Sequence, residues 1–340
     1  MYPKRYPKAV IFGIEGSELK NDEFDFFRSV NPFGFILFSR NCINRNQIYS
    51  LTSELRSCVG RPNAPILIDQ EGGRVTRLPK NLFPSPPSQG QIGTQAEKLP
   101  PEMIERFAWL YGFLIGYDLH SLGINVNCAP LLDLCFNKKS KIIGDRSFGS
   151  KPHLVTLLGK SYIKGLNAAG VNEVIKHIPG HGRSSIDSHF KLPIINTPIQ
   201  KLYETDFKPF KNLCFSSYAM TAHVRYATID KLPVTFSEKI IQEIIREYIG
   251  FKGLLITDDI SMGALKGNLS KRAELALNAG CDLVLHCSGD ISEMYKIARI
   301  LPEFKSSFAN KTIISNIRKD KKTININILR DEFKLMLHKY

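Results

Sequence analysis

Apolar positions in this chain cluster in short unbroken runs. Each run is followed by a longer segment in which apolar residues recur at helical spacing. The runs fall at residues 9–14, 34–39, 65–70, 124–129, 174–178, 219–224, 253–258 and 283–287. They are too short for helices and lack the polar alternation of a half-solvated sheet, which is the pattern of parallel strands covered on both faces. The helical spacing predicts helices over 22–30, 44–59, 102–122, 153–169, 201–215, 238–248, 269–279 and 291–301. Residues 71–94 follow neither period, are rich in Gly and Pro, and read as a long loop. The chain closes in a basic tail with a terminal helix over 328–338.

Eight strand–helix units in succession predict an α/β fold, a (β/α)8 TIM barrel, ahead of an open doubly wound sheet. No Gly/Ser-rich linker or shift of composition divides the chain. Residues 1–340 therefore read as one domain, with a core over about 8–305 and the tail over 306–340.

Composition narrows the function classes. The chain has 340 residues, of which 43% are hydrophobic, enough for a large core. No apolar run approaches the roughly 18 residues of a membrane span, and the N-terminal apolar segment ends at Glu15, too soon for a secretory signal. A soluble cytoplasmic protein with no membrane partner is expected. The seven cysteines are an odd number without C-x-x-C spacing, which fits a reducing compartment rather than a disulfide framework or a zinc site. The net charge of +14 raises nucleic acid as a partner. However, the basic residues are spread out, the one dense cluster being Arg318–Lys322, and no nucleic-acid-binding motif accompanies them. The charge reads as a solubilising surface or an attraction for anionic small molecules, and a monomer is expected.

In a barrel of this kind the active site lies at the C-terminal ends of the strands. There the sequence places Asp69, followed by Gln70, Glu71, Gly72, Gly73, Arg74 and Arg77; then Asp145 and Arg146; Lys176 and His177; His223; Asp258 and Asp259; and His286. Each has a plain structural reading. Asp259 can cap the next helix, Lys176 can be a solvated rim charge, and His223 and His286 can be core histidines. Their convergence on one end of the barrel argues for chemistry instead. A carboxylate fixed at a strand end can act as a nucleophile or stabilise a cation, and polar groups around it can hold sugar hydroxyls. The loop after the fifth strand carries Asp187 and His189 two residues apart. A carboxylate bonded to an imidazole sets its tautomer, so this pair can transfer protons beside Asp258. The histidines lack any ligand spacing specific for a metal, and no phosphate-binding glycine motif follows a strand; no metal and no cofactor are expected.

Four blocks carry a resemblance: Lys176-His-Ile-Pro-Gly-His-Gly182 with Asp187-Ser-His189, Asp69-Gln-Glu-Gly-Gly-Arg-Val75, Ile143-Gly-Asp-Arg-Ser-Phe-Gly149 and Thr257-Asp-Asp-Ile-Ser-Met262. In their order along the chain they resemble bacterial family 3 glycoside hydrolases of the β-N-acetylglucosaminidase type, the short single-domain kind of peptidoglycan recycling. The resemblance covers most of residues 8 to 290. It implies retention of configuration through a covalent glycosyl–enzyme intermediate, with Asp258 as nucleophile, His189 as acid/base and Asp187 as its partner. It also implies that Asp69, Arg77, Arg146, Lys176 and His177 hold an N-acetylglucosamine ring, β-1,4-linked to an anhydro-muramic acid bearing a peptide. Ile178 stands where the family pattern leads one to expect Phe, and Phe190-Lys191 where Leu-Ala is frequent; neither change removes a reacting group. Attack by the 2-acetamido oxygen, phosphorolysis, and a non-catalytic sugar-binding protein remain as alternatives.

Overall fold

The computed structural model describes residues 6–137, 140–304 and 325–338. Arg318–Lys322 lie outside them. Eight parallel strands close a barrel: β1 (Lys8–Gly13), β2 (Pro32–Leu37), β3 (Ile66–Ile68), β4 (Val126–Asn127), β5 (Asn172–Ile178), β6 (Tyr218–Thr221), β7 (Leu254–Asp259) and β8 (Leu283–His286), each beside its sequence neighbour, with β8 against β1. The unbroken apolar runs follow from this closure. Ile11, Phe33, Leu67, Val126, Val174, Met220, Ile256 and Leu285 form one cluster drawn almost wholly from strands, the interior of the barrel. Their neighbours Val10, Phe12, Phe35, Ile68, Ile175 and Leu255 pack outward with the helices. Phe304 closes the N-terminal end, its ring edge-on to Phe33 and its amide bonded to the Pro7 carbonyl.

Most helices start where their sequence says they should. Asn44, Asn268 and Asp290 each accept a backbone N–H in the first turn of Arg45–Cys58, Leu269–Ala279 and Ile291–Ala298. Three expectations need correction. The loop predicted over 71–94 ends in a helix, Gln89–Ala96, started by a capping box between Ser88 and Gln91. The helix predicted over 201–215 is two, Ile199–Glu204 and Lys208–Asn212; Pro209 cannot sit inside one helix, and Asp206 turns inward at the break to accept from Arg183 Nε at 2.8 Å. The segment predicted as an ordinary helix over 238–248 is wound as a π-helix, Ile240–Tyr248. The terminal helix, Ile326–His338, lies against Pro101–His120. A two-residue ribbon, Ile194–Ile195 with Arg225–Tyr226, was not foreseen.

Candidate active site

The eight residues expected at the site, Asp69, Arg77, Arg146, Lys176, His177, Asp187, His189 and Asp258, line a single cavity of about 260 Å³ at the C-terminal mouth of the barrel. One side of it is a buried charge network. Lys176 reaches from β5 to Asp69 Oδ1 at 2.8 Å and to Glu71 Oε1 at 2.7 Å. Arg146 meets Glu71 with two parallel bonds of 2.8 Å, the planar fork that guanidinium and carboxylate form. Arg77 lies 3.3 Å from Asp69 Oδ2. Lys176 is therefore no solvated rim charge; it is 2% exposed. Burial works to raise the carboxyls of Asp69 and Glu71, but the facing cations outweigh it and hold both below the ordinary range. Burial would likewise lower the Lys176 ammonium, and the two carboxylates hold it raised. All stay charged at neutral pH.

The other side is the loop after β5. Asp187 Oδ1 accepts from the His189 backbone N–H at 2.9 Å and lies 2.8 Å from His189 Nδ1. With Nδ1 so engaged, Nε2 is the ring nitrogen left for chemistry, and His189 lines the cavity. The loop is pinned by two backbone bonds, Gly263 N–H to the His189 carbonyl at 2.9 Å and Ala264 N–H to the Ser188 carbonyl at 3.1 Å. Gly263 is required here, because a Cβ would stand 2.7 Å from the Phe190 carbonyl oxygen and 2.8 Å from that of His189. Asp258, on β7, accepts the Asp259 N–H at 2.8 Å. Burial raises its carboxyl, but His223, His177, that N–H and Lys176 together bring it below the ordinary carboxylate range, so it is ionised at neutral pH.

Two residues of the site escaped the sequence reading. Glu71 was seen only as part of a polar run, although it is the carboxylate that joins Lys176 to Arg146. Asp133, fully buried, accepts the backbone N–H of His177 at 3.1 Å and of His181 at 2.6 Å, and lies 2.7 Å from His177 Nδ1. Its only signal was its place in the loop after the fourth apolar run. Asp259 caps no helix: it accepts from Ser261, and Asn268 starts the next helix. His286 fits the plain reading, buried with Ser288 as a partner, whereas His223, buried against Thr235, also helps hold Asp258 ionised. Among the described residues, no three His, Cys, Asp or Glu side chains are placed to hold a metal ion, and no helix is long and apolar enough to cross a membrane.

A parallel barrel whose mouth gathers an ionised strand-end carboxylate, an Asp–His pair and a network of buried charges around one cavity has the groups that glycoside hydrolysis needs. The chain belongs to glycosyl hydrolase family 3: residues 22–316 match the family's N-terminal domain. It is 38% identical over 284 residues to a beta-hexosaminidase of Shewanella frigidimarina, covering 82% of this chain and 80% of that one. It superposes on NagZ from Neisseria gonorrhoeae in complex with N-trifluoroacetyl-D-glucosamine with a TM-score of 0.87 at 26% identity, over 98% of this chain and 99% of the other. The same protein in complex with zinc ion gives 0.86 at 27% identity, again over 98% and 99%.

Proposed function

We propose that this chain is a retaining β-N-acetylglucosaminidase. It removes terminal, non-reducing β-1,4-linked N-acetylglucosamine from anhydro-muropeptides during cell-wall recycling in the cytoplasm. The observation that supports this reading is that Asp258 and the Asp187–His189 pair line the same cavity. Asp258 attacks the anomeric carbon. The glycosidic C–O bond breaks, and the leaving oxygen takes its proton from His189 Nε2. Water then attacks the same carbon, giving its proton to His189, and the Asp258 carboxylate leaves. Asp187 orients the ring through Nδ1 throughout. Asp69, Arg77, Arg146, Lys176 and His177 hold the sugar hydroxyls and the acetamido group. The +14 net charge suits an anionic muropeptide.

The test is release of aryl alcohol from an aryl β-N-acetylglucosaminide and from the matching β-glucoside, followed by trapping with a 5-fluoro-N-acetylglucosaminyl fluoride. Release from the acetamido sugar alone, with a glycosyl adduct on the peptide containing Asp258, is the expected result. An active enzyme that carries no adduct, or one on another residue, removes Asp258 as nucleophile. Equal release from the glucoside removes the acetamido preference, and turnover that requires inorganic phosphate replaces hydrolysis by phosphorolysis.

A further inference from the structure

The terminal helix, Ile326–His338, carried no sequence motif and contributes no side chain to the cavity, yet it is joined to both sides of the Glu71–Arg146 pair. We propose that it is a buttress for the sugar-binding floor, and that Tyr111 is the positioning residue through which it acts. The proposal rests on the reading of Arg146 and Lys176, which Glu71 joins, as part of the floor that holds the sugar.

The first connection runs to Glu71. Phe333 of the terminal helix stacks on Phe107 with ring centroids 5.3 Å apart and on Tyr111 at 6.1 Å. Tyr111 is buried, and its hydroxyl lies 2.6 Å from the Glu71 carbonyl and 2.9 Å from that of Pro87, sharing its one proton between them. The backbone here has no slack: a Cβ on Gly72 would stand 2.2 Å from the Pro87 carbonyl oxygen and 2.5 Å from the Tyr111 hydroxyl. The hydroxyl therefore fixes the peptide from which the Glu71 side chain rises.

The second connection runs to Arg146. Gln95 Nε2 donates to the Met336 carbonyl at 2.9 Å. Gln95 belongs to the helix Gln89–Ala96, which lies directly on the backbone flanking Arg146. A Cβ on Gly93 would stand 1.7 Å from the Phe148 carbonyl oxygen, and one on Gly90 3.0 Å from that of Asp145. The terminal helix is itself clamped to Pro101–His120 by a two-bond pair of Arg106 with Glu332 and by Arg330 with Asp118 at 2.7 Å. The residues between β3 and Gln89 form no strand or helix. The Glu71 and Gly72 amides also donate to the Val75 carbonyl, so the supports set the last fraction of its position, and displacements of about 1 Å are costly in a site that works by positioning.

The experiment uses the full chain with Tyr111→Phe, which deletes the hydroxyl and keeps the ring, and with Phe333→Ala and Phe333→Tyr. Steady-state kinetics on 4-nitrophenyl N-acetyl-β-D-glucosaminide are combined with calorimetric titration of N-acetylglucosamine and with Tm. Tyr111→Phe is expected to raise KM and the N-acetylglucosamine Kd together by about three- to tenfold, the scale of one hydrogen bond, with kcat within about twofold. Phe333→Ala is expected to act in the same direction, and Phe333→Tyr to behave as wild type. Lowered Tm with unchanged KM and Kd shows mere packing and overturns the proposal, as does a loss confined to kcat. If Phe333→Ala fails to fold, Tyr111→Phe decides alone. A wild-type chain that neither binds nor cleaves these sugars overturns the functional reading and this proposal with it. An active wild type with an indistinguishable Tyr111→Phe variant overturns this proposal only.

Discussion

Glu71 on the floor of the cleft and Asp187 on its loop are both carboxylates paired with a nitrogen base, yet they stand in different media. The Glu71 side chain is 1% exposed, and its partners Lys176 and Arg146 are 3% and 16% exposed. Asp187 and His189 are 40% and 67% exposed. A buried pair interacts strongly and loses much if one member is removed, whereas an exposed pair is screened by water and adds little to stability. The floor is built to keep its charges fixed before substrate arrives. The loop pair, being reachable by water, can give up a proton, recover it, and admit the second reactant. On the proposed mechanism, one cleft would divide its labour by solvent exposure: binding geometry where water is absent, proton transfer where it is present.

That division has separable consequences for rate and for stability. The largest effect is expected on the loop. His189→Ala, or Asp187→Ala to a lesser degree, should lower kcat by a factor of about 10²–10⁴, the usual worth of a general acid/base, while Tm stays at the wild-type value. A dinitrophenyl leaving group, which needs no proton, should recover most of the first step. A Tm loss in these variants would break the contrast, because it would show that the exposed pair holds the fold.

Next in size is Glu71→Gln. Lys176 keeps Asp69 as its partner, so the uncompensated charge falls on Arg146, which is paired with Glu71 alone among the described carboxylates. Breaking a buried ion pair by removing one member costs about 3–5 kcal/mol, to be read from denaturant unfolding, and KM should rise with it. A loss below about 1 kcal/mol would place the floor in the same screened regime as the loop.

The same contrast explains what the chain revealed as sequence. Strand runs were legible because parallel strands buried on both faces must be apolar throughout, and Asp69, Lys176 and Asp258 stood out by ending such runs. The Asp187–His189 pair was legible because its two members are local in sequence. Glu71 and Asp133 were less so, since their meaning lies in partners 75 and 44 residues away, Arg146 and His177. Nothing local distinguishes a carboxylate that closes a network from one that faces water. The helix Gln89–Ala96 was missed through its Gly content, although those glycines are what let it touch the backbone beside Arg146. The break at Asp206 was signalled by Pro209 and passed over.

The smallest expected effect tests the point where floor and loop meet. His181 is 2% exposed; its backbone N–H donates to Asp133 Oδ1 on the floor side, and its Nε2 lies 3.2 Å from Ser188 Oγ on the loop. Its Nδ1 has no partner among the described residues. Burial, helped by the neighbouring His177 and opposed by Asp133, pushes its pKa down to about 4 from the ordinary 6.5. Between those two values the unfolded chain binds a proton that the folded chain refuses, so stability falls as pH falls through the window. At about 1.4 kcal/mol per pH unit, the loss approaches 3 kcal/mol at its acid end. Asp133, held below the ordinary carboxylate range against its burial by His177, adds a loss of the same sign at lower pH. In His181→Gln the first part of this acid limb should vanish, giving a Tm that declines less than the wild type between pH 6.5 and pH 4.5. Parallel declines would show that the ring is protonated without cost, and that floor and loop are joined by Asp133 and the backbone alone. A flattened limb, with activity on the aryl glycoside falling less steeply over the same range, would show that the imidazole between them carries the coupling.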